Sequence, residues 1–397
     1  MSRHVRTVLF STLFPNAARP MHGIFVETRL RELLKTGQIE TRVVAPVPWF
    51  PFTAERWGDY ARMARCPAHE LRNGIEVVHP RYFLPPKVGM TLAPFLLALG
   101  AAPSLRRLRA SGFDFDVIDA HYYYPDGVAA AILGACFKTP VTVTARGTDI
   151  NLIPSFHWPR KMLQWAGSRA SASIGVSAAL VERMRALAFD PGTLHVMRNG
   201  VDLDRFQPSE PQAMRQALGI HGAPVLLAVG NLQVHKGQRL LIDALAQVRR
   251  QHPGAVALIV GEGPDEGFLR AQASALGLHD AVRFVGMVPN QDLPQWYSAA
   301  DMLVLASSRE GWPNVLLEAM ACGTPVVASD VGGVREIVQT AVAGRVVAQP
   351  SATTLADAID GVLRAGTDRA AVRAYAQQFS WERTSQDQLA LFQTLAA

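Results

Sequence analysis

The chain has 397 residues, of which 49% are hydrophobic and 18% charged, and it carries a net charge of +6. This composition excludes a disordered or low-complexity protein, and the length predicts two or three globular domains. It also excludes an integral membrane protein, because the longest apolar run, 92–103, is interrupted by Pro94 and Gly100 and falls short of the roughly 18 to 20 residues that cross a bilayer. The three cysteines lie far apart without metal-ligand spacing and are predicted to be reduced cytosolic thiols.

Short apolar runs alternate with helical patterns along the whole chain and predict two series of buried strands. The first run, 7–10, also imitates the start of a signal peptide, but no small-residue cleavage site follows it and a strand is favoured. Continuous apolar strands that alternate with helices are typical of parallel sheets covered on both faces, so the two series predict two α/β domains. The turn-rich segment 198–208 is the expected boundary between them. The predicted strands are 7–10, 42–45, 117–120, 141–144 and 173–176 in the first series, and 225–229, 256–260, 282–285, 302–305 and 325–328 in the second.

Much of the clustered positive charge lies in the first 165 residues. Such a bias leaves several partners open: nucleic acid, an anionic membrane surface or a phosphorylated substrate, beside ordinary solvated helix faces. Arg106, Arg107 and Arg109 follow the apolar stretch 92–105 and make the best case for an amphipathic element at a membrane interface.

Three residues of the first domain lie where a predicted strand gives way to a helix. Gly23 would let the backbone approach a phosphate, or would serve a tight turn. His121 closes the strand 117–120, and because an Asp-Gly pair then opens a helix, a role in a site is favoured over a structural one. Arg146 could bind an acidic acceptor or a phosphate, or pair with Asp149.

Two Asp-x-Asp strings, 114–116 and 202–204, would suggest a divalent metal site in another context. Both flank turns, where Asp is ordinarily found for its local hydrogen bonds. The sequence therefore predicts no metal site.

In the second domain, Lys236 lies in the loop between the strand 225–229 and the next helix. A lysine just past the carboxyl end of a parallel strand can reach a ligand in the crevice where such sheets bind them. Lys236 is the predicted diphosphate contact, with a solvated loop lysine as the alternative. The turn 261–264 is not G-x-G-x-x-G, and no ribose-binding acid follows at the spacing of a dinucleotide fold, which disfavours a dehydrogenase.

Glu310 and Glu318, which are separated by seven residues in the segment 308–323, are the most informative feature of the chain. Glu318 lies in an otherwise apolar run, where an ionised carboxylate is rarely buried without a partner or a ligand. The pattern predicts a short buried helix 315–322, with Pro313 in a first-turn position, Asn314 as a possible cap and Gly323 at the end. Free backbone N–H groups before and at the start of such a helix attract phosphate, and two carboxylates suit the hydroxyl groups of a sugar nucleotide.

This segment resembles the acidic signature of family 4 of the retaining glycosyltransferases, which adopt the two-domain GT-B fold. The resemblance spans most of the chain, from Gly23 to Glu318, and implies an α/β protein with two Rossmann-like, doubly wound parallel-sheet domains that face each other across a cleft. It implies an acceptor-binding domain over 1–200, with the C-terminal helix 378–397 packed back on it, and a nucleotide-sugar-binding domain over 201–377.

The resemblance also implies the roles of individual residues. Glu310 and His121 would orient the donor sugar, and Glu318 would hydrogen-bond the ribose hydroxyls. Lys236 would hold the diphosphate with a larger share of the charge, because Asn231 stands where relatives have an arginine. The further donor contacts that it implies are Gly23, Gly311, Trp312, Pro313, Asn314, Val315 and Met287.

The sequence thus predicts a cytoplasmic, retaining glycosyltransferase that uses a nucleotide-diphosphate sugar and needs neither a cofactor nor a metal. The expected acceptor is a polyprenyl-linked glycan of surface polysaccharide biosynthesis. The expected location is the inner face of the cell membrane as a peripheral protein on an anionic lipid surface, without a nucleic-acid partner. Two alternatives stay open: a nucleotide-sugar hydrolase or epimerase of the same fold, and a non-catalytic basic protein that docks on membranes.

Overall fold

The computed structural model describes residues 4–84 and 89–397 and divides the chain into two compact units. Unit 1 consists of Met1–Arg198 and Glu382–Ala397, and unit 2 consists of Asn199–Trp381. Each unit is built on one predominantly or wholly parallel sheet with helices in the connections, so the predicted α/β class is confirmed. The acceptor-binding and nucleotide-sugar-binding roles of the two domains stay predictions.

Unit 1 has a sheet of eight strands and a separate pair of short strands. Its strands are β1 (Val5–Phe10), β2 (Ile39–Val44), β3 (Val47–Pro48), β4 (His69–Arg72), β5 (Ile75–Val78), β6 (Arg81–Tyr82), β7 (Val117–His121), β8 (Val141–Ala145), β9 (Ala172–Gly175) and β10 (Leu194–Val196). Its first helices are α1 (Ile24–Leu34), α2 (Asp59–Ala64), α3 (Gly89–Ala110), α4 (Val128–Phe137), α5 (Thr148–Asn151), α6 (His157–Gly167) and α7 (Ala178–Ala186).

The strand order of the large sheet in unit 1 is β10-β9-β8-β7-β1-β2-β5-β4, and only β4 runs antiparallel to its neighbour. The chain leaves β1 toward β2 on one side and later returns to β7 on the other. The boundary between β1 and β7 is therefore a topological switch point, where loops at the carboxyl ends of the strands diverge and leave a crevice for ligands.

The strands of unit 2 alternate with its helices. In chain order the elements are α8 (Pro211–Ala217), β11 (Val225–Val229), α9 (Gln238–Gln251), β12 (Val256–Val260), α10 (Glu266–Ala275), β13 (Val282–Gly286), α11 (Leu293–Ala299), β14 (Met302–Leu305), α12 (Asn314–Ala321), β15 (Val326–Ser329), α13 (Val334–Ile337), β16 (Gly344–Val347), α14 (Ala352–Ala365) and α15 (Arg369–Ala376). All six strands are parallel in the order β13-β12-β11-β14-β15-β16, which places the switch point between β11 and β14.

The last helix, α16 (Trp381–Ala396), returns to unit 1. Leu389 and Phe392 are buried with Val5, Leu33 and Val117 in one apolar cluster. Burial of such side chains, at roughly 1.5–3 kcal/mol each, is what holds this helix against the sheet.

All ten predicted strands are present, with bounds that differ by up to three residues. The sequence missed the short strands β3, β4, β5, β6, β10 and β16, of which β4, β10 and β16 lie at sheet edges, because short or solvent-facing strands carry little apolar signal. The apolar run 92–103 lies within α3, which continues through Pro94 and Pro103. The predicted positions in the segment 313–322 also need a correction: Pro313 is the N-cap residue and Asn314 the first helical residue.

Among the described residues, no helix has both the length and the apolar character that spanning a bilayer requires.

Candidate active site

The switch point of unit 2 brings together the loops that follow β11 and β14. The backbone N–H of Ser308 donates to the carbonyl of His235 at 2.8 Å. Gly237 has φ +73°, and a Cβ at that position would overlap the carbonyl oxygen of Ala306. Only glycine allows the two loops to approach each other so closely, so this contact holds the candidate site residues of both loops together.

Lys236 and Glu310, one from each loop, form an ion pair. The Lys236 Nζ lies 2.8 Å from Glu310 Oε1, and the Ser307 hydroxyl donates to the same oxygen at 2.8 Å. The side chains are 26% and 10% exposed, so a ligand in the crevice can reach both. The structure therefore joins two residues that the sequence placed in one site from motifs 74 residues apart.

Glu318 lies on α12, in the second turn after the loop that carries Glu310. Its Oε2 accepts a hydrogen bond from the hydroxyl of Tyr297 at 2.7 Å. Burial raises the pKa of Glu318 to about 6, and the hydrogen bond from Tyr297 opposes that shift. Tyr297 was missed by the sequence argument because it lies on α11, 21 residues earlier, in an ordinary apolar helix pattern.

The loop between Glu310 and α12 is fixed by contacts at both ends. The Trp312 indole N–H donates to the carbonyl of Asn199 at 3.0 Å, and the Asn199 amide donates to the side chain of Asn314 at 3.2 Å. The carbonyl of Gly311 accepts from the N–H of Gly333 at 3.1 Å. Trp312 is buried, so its place in the site is to anchor the loop that leads to the first turn of α12.

A second cation, Arg309, lies close enough to His235 to act on it together with Lys236. Burial lowers the pKa of His235, and the charges of Lys236 and Arg309 lower it further while Glu310 raises it. Asn231, at the position where the sequence indicated a lost arginine, is exposed at the start of the loop after β11. Arg309 was not among the predicted site residues; its only sequence signal was a basic residue next to Glu310.

Met287, one of the donor contacts that the family resemblance implies, follows β13 at the same edge of the sheet. The N–H of Gly261, after β12, donates to the carbonyl of Gly286 at 2.8 Å, and Met287 beyond it is exposed. Met287 therefore lies at the open rim, beside the turn after the neighbouring strand.

In unit 1, two buried carboxylates tie together the loops at the switch point. Asp126 accepts from the N–H and the hydroxyl of Thr12 at 2.7 and 2.9 Å, which links the ends of β1 and β7. Asp149 accepts from the N–H groups of Tyr123 and Gly147 at 2.8 and 2.7 Å, which links the ends of β7 and β8. Burial raises the pKa of Asp126 to about 7.

His121 is buried at the end of β7 with both ring nitrogens engaged. Its Nε2 lies 3.2 Å from Asp119 Oδ2, and its Nδ1 faces the guanidinium of Arg146. Because an arginine only donates, Nδ1 accepts and Nε2 carries the proton that goes to Asp119. Burial lowers the pKa of His121 to about 4, and the charge of Arg146 adds to the effect. The ring is therefore neutral and serves as an acceptor for Arg146, which also lies over the ring of Phe25.

Gly23 begins α1 with φ +60°, and a Cβ there would overlap the carbonyl oxygen of Leu13. This close approach explains the glycine without a ligand. Its predicted phosphate contact stays a prediction, as do the donor contacts of the other residues named from the sequence.

The chemistry of the unit 2 site suits a phosphorylated ligand that also carries hydroxyl groups. Lys236 and Arg309 supply positive charge, the first turn of α12 supplies backbone N–H groups, and Glu310 and Glu318 supply acceptors on either side of them. In residues 4–84 and 89–397, no three His, Cys, Asp or Glu side chains are grouped to hold a metal ion.

Comparisons with known proteins agree on the class of protein. Residues 26–205 match the sequence profile described as Glycosyltransferase Family 4, and residues 211–379 match the profile described as Glycosyl transferases group 1. A protein from Bacillus subtilis named putative teichuronic acid biosynthesis glycosyltransferase TuaC is 30% identical over 84% of this chain and 83% of its own length. A D-inositol 3-phosphate glycosyltransferase from Jonesia denitrificans is 34% identical over 70% of this chain and 72% of its own.

Among solved structures, Anabaena Alr3699/HepE in complex with UDP-glucose superposes with a TM-score of 0.74 over 98% of this chain and all of that chain, at 23% identity. At that identity the likeness shows the fold, which is that of the GT-B glycosyltransferases. Of the three functional classes that the sequence left open, the comparisons select the transferase.

Proposed function

This chain belongs to glycosyltransferase family 4, and from that premise we propose that it transfers a sugar from a nucleotide-diphosphate sugar to an acceptor with retention at the anomeric carbon. The observation that carries the proposal is the Lys236–Glu310 pair at the switch point of unit 2. A cation and a carboxylate in one crevice match the two ends of the bond that breaks: diphosphate on one side and sugar hydroxyls on the other.

In the proposed reaction, the bond between the anomeric carbon and the diphosphate oxygen breaks and its electron pair goes to the diphosphate. The acceptor hydroxyl forms the new bond on the same face, and its proton goes to the departing phosphate oxygen. Lys236, Arg309 and the N–H groups around Gly311 to Val315 stabilise the developing negative charge. Glu310 orients the sugar and Glu318 holds the ribose. No side chain of the chain forms a covalent intermediate.

The Lys236–Glu310 ion pair lets the donor bind by an exchange of partners. A diphosphate oxygen that enters the crevice competes with Glu310 for the ammonium of Lys236, and the displaced carboxylate is then available to sugar hydroxyls. We expect no metal requirement, because charge is supplied by these cations and by the start of α12. Turnover that is abolished by a chelator and restored by a divalent cation would contradict this part of the proposal.

The donor is tested first by thermal stabilisation with a panel of sugar nucleotides, beginning with UDP-glucose because a solved neighbour binds it. A ligand at about 100 times its Kd stabilises a protein by about 2.7 kcal/mol, which the midpoint of thermal unfolding reports. With the best donor, Lys236→Ala and Glu310→Ala are each expected to lower kcat/KM by about 10² to 10³ fold.

Lys35→Ala is the matched control, because Lys35 forms a Lys–Glu pair of the same 2.8 Å length with Glu32 at the end of α1. Its turnover is expected to equal that of the wild type. Rates near the wild type for folded Lys236→Ala and Glu310→Ala proteins would overturn the assignment. The anomeric configuration of the product, measured by NMR, tests retention separately.

We propose a polyprenyl-linked glycan as the acceptor. A relative named for teichuronic acid biosynthesis and the positive charge of unit 1 support an acceptor at an anionic membrane. Product analysis compares a polyprenyl-diphosphate-linked glycan with D-inositol 3-phosphate, the acceptor type named in other relatives. Transfer to the inositol phosphate alone would overturn the lipid-linked acceptor and leave the transferase assignment intact.

A further inference from the structure

The seven tryptophans of the chain are placed differently in the two units. The four in unit 1, Trp49, Trp57, Trp158 and Trp165, are 40% to 62% exposed, whereas the three in unit 2 are 5% to 7% exposed. Tryptophan is highly buried on average in soluble proteins, so four exposed ones in a single unit need a reason. Exposed aromatic clusters on a protein surface mark sites of interaction with another protein or a membrane.

Two of these tryptophans lie in the segment between β3 and α2, where Trp57 belongs to an aromatic cluster and Trp49 contacts Phe83. The ring of Phe50 lies 5.6 Å from that of Trp57 and 5.2 Å from that of Tyr60, and Phe52 stacks on Trp57 at 5.5 Å. Arg56 lies over the ring of Trp57. The segment thus presents aromatic rings and a cation together to solvent.

The helix α3 exposes apolar side chains at helical spacing. Leu92, Phe95 and Leu99 are exposed at positions i, i+3 and i+7, and Arg106, seven residues further, continues the same face. The apolar stripe therefore ends in a positive charge. This arrangement refines the sequence prediction of an amphipathic element, because Arg109 instead packs over the rings of Phe115 and Phe137.

The helix α6 carries the third exposed patch. Trp158, Lys161 and Trp165 occupy positions i, i+3 and i+7 of one face, and Arg160 is exposed beside them. Tryptophans alternating with basic residues on one helix face are typical of a helix that lies at a membrane interface, where the rings sit at headgroup depth and the cations meet lipid phosphates.

These three patches occupy neighbouring elements. The ring of Trp49 lies 6.4 Å from that of Phe83, which follows β6. The helix α3 packs closely on β6 at Gly100, where a Cβ would overlap the carbonyl oxygen of Arg81. The helix α6 packs on α3 in turn. We call the aromatic cluster 49–60, the exposed face of α3 and the exposed face of α6 the docking surface.

A cavity of about 390 Å³ lies directly beside this surface. It is lined by Thr12, at the carboxyl end of β1, and by Arg19, His22 and Tyr60. Because Tyr60 belongs to both the aromatic cluster and the cavity wall, a molecule held at the docking surface has short access to the switch point of unit 1.

The two units also differ in net charge. Unit 1 contains 25 Lys and Arg against 16 Asp and Glu, a net charge of +9, whereas unit 2 contains 14 against 17, a net charge of −3. A unit of that charge is attracted to an anionic lipid surface and repelled by a second copy of itself. Charge complementarity therefore selects a membrane as the occupant of the docking surface.

We propose that unit 1 binds anionic phospholipid membranes through this docking surface, with the tryptophans of the cluster and of α6 at the depth of the lipid headgroups. The inference rests on the proposed function, because it gives a lipid-linked acceptor a route to the cavity beside Thr12.

The test is flotation of the whole protein with vesicles of phosphatidylglycerol and phosphatidylcholine, and with vesicles of phosphatidylcholine alone. Flotation is expected only with the anionic vesicles and is expected to fall as salt rises. Two paired variants, Trp158→Ala with Trp165→Ala and Leu92→Ala with Leu99→Ala, are each expected to weaken binding about tenfold or more. Phe268→Ala is the control, because Phe268 is 65% exposed in unit 2 and is expected to change nothing.

Tryptophan emission gives an independent readout. Lipids with brominated acyl chains are expected to quench the emission of unit 1, while the three buried tryptophans of unit 2 supply an unquenched background. Loss of quenching in the double tryptophan variant, with the stabilisation by sugar nucleotide unchanged, shows that the variant is folded and has lost only the docking.

Several outcomes would overturn the docking surface. These are equal flotation of the wild type and both paired variants, an absence of flotation with anionic vesicles, or self-association through the same residues without lipid. Transfer to a lipid-linked acceptor without flotation refutes the surface and leaves the proposed function. Flotation without transfer to any acceptor refutes the proposed acceptor and leaves the surface.

Discussion

The two units share a parallel, doubly wound plan, yet they use the charged residues at their switch points in opposite ways. In unit 2, Lys236 and Glu310 form a partly exposed pair at the open edge of the sheet. In unit 1, Asp119 and His121 are buried and satisfied by residues of the same unit. A polar group that remains accessible can exchange its partner for a ligand. The buried hydrogen-bond network of Asp119 and His121, here called the closed network, instead positions loops.

The closed network of unit 1 reaches the last helix. Gln388 on α16 donates to Asp119 at 3.2 Å and accepts from the buried guanidinium of Arg29 at 2.7 Å. Burial lowers the pKa of Arg29 to about 10. This polar network and the apolar cluster around Phe392 together explain why the chain returns to unit 1 after completing unit 2.

The largest effect is expected from removing one charge of the closed network. Asp119→Ala removes the carboxylate whose charge favours the buried guanidinium of Arg29 and is expected to lower the free energy of unfolding by about 3 to 5 kcal/mol. Glu310→Ala, in the accessible pair, is expected to change it by less than about 1 kcal/mol while donor turnover falls. Chemical denaturation of both variants measures the difference; similar losses of stability would contradict the contrast between the two switch points.

The next comparison concerns two glycines of unit 2 with left-handed backbones. Gly237→Ala adds both strain and an overlap with Ala306, so we expect a loss of about 3 kcal/mol or more in the free energy of unfolding, together with weaker donor binding. Gly277→Ala, at φ +68° with nothing nearby, adds only strain and is expected to cost about 1 kcal/mol. Thermal unfolding with and without donor separates the two, and equal costs would show that the loops do not depend on this contact.

Donor binding is expected to depend on pH through Glu318. The pKa of Glu318 in the folded protein is about 6, above the ordinary value of a glutamate, so folding favours the protonated carboxyl. The stability that this preference contributes is therefore lost as pH rises through 6. The proposed contact of Glu318 with ribose hydroxyls needs the ionised carboxylate, so donor affinity is expected to fall up to about tenfold for each pH unit below 6. A nucleotide-diphosphate sugar keeps its own charge in this range.

Calorimetric titration of the protein with donor, repeated between about pH 5 and pH 8, measures this dependence. His235 is expected to act in the opposite direction, because its protonation as pH falls adds positive charge beside the proposed diphosphate site. Glu318→Gln is the control and is expected to remove the fall in affinity at acid pH. A persistent fall in that variant would assign the dependence to another group.

The smallest expected effect is that of Tyr297→Phe, which removes the hydrogen bond to Glu318 without changing the packing. We expect a loss of about 0.5 to 1.5 kcal/mol in unfolding free energy. The pKa of Glu318 is expected to rise, because the tyrosine opposes the effect of burial, and the pH dependence of donor binding should move upward with it. An unchanged pH profile would show that Tyr297 does not act on donor binding through Glu318.

Much of the fold was predictable because apolar periodicity is a local property. The buried strands β11, β12 and β14 are uninterrupted apolar runs and were found with their bounds. Edge strands such as β4 and β16 were not found, since a strand that is half solvated carries few apolar residues. The helix α3 continues through Pro94 and Pro103, although a proline in a helix interior usually kinks or ends the helix.

The site was predictable where its residues form a local motif and not where partners come from elsewhere. Glu310, Glu318 and Lys236 stand in segments whose spacing and family resemblance indicate a donor site. Tyr297 and Arg309 carry no such signal, because a tyrosine in an apolar helix and an arginine in a loop are common.

By itself, the sequence determined two α/β domains, the family, and the loops that bear the candidate donor residues, because each of these is written in contiguous segments. Only the tertiary structure decided which charges are accessible and which are closed. It showed that Lys236 faces Glu310, that Arg146 engages His121, and that the tryptophans of unit 1 face solvent while those of unit 2 are buried. The reason is that burial and pairing depend on residues far apart in the chain, which meet only when the sheets form.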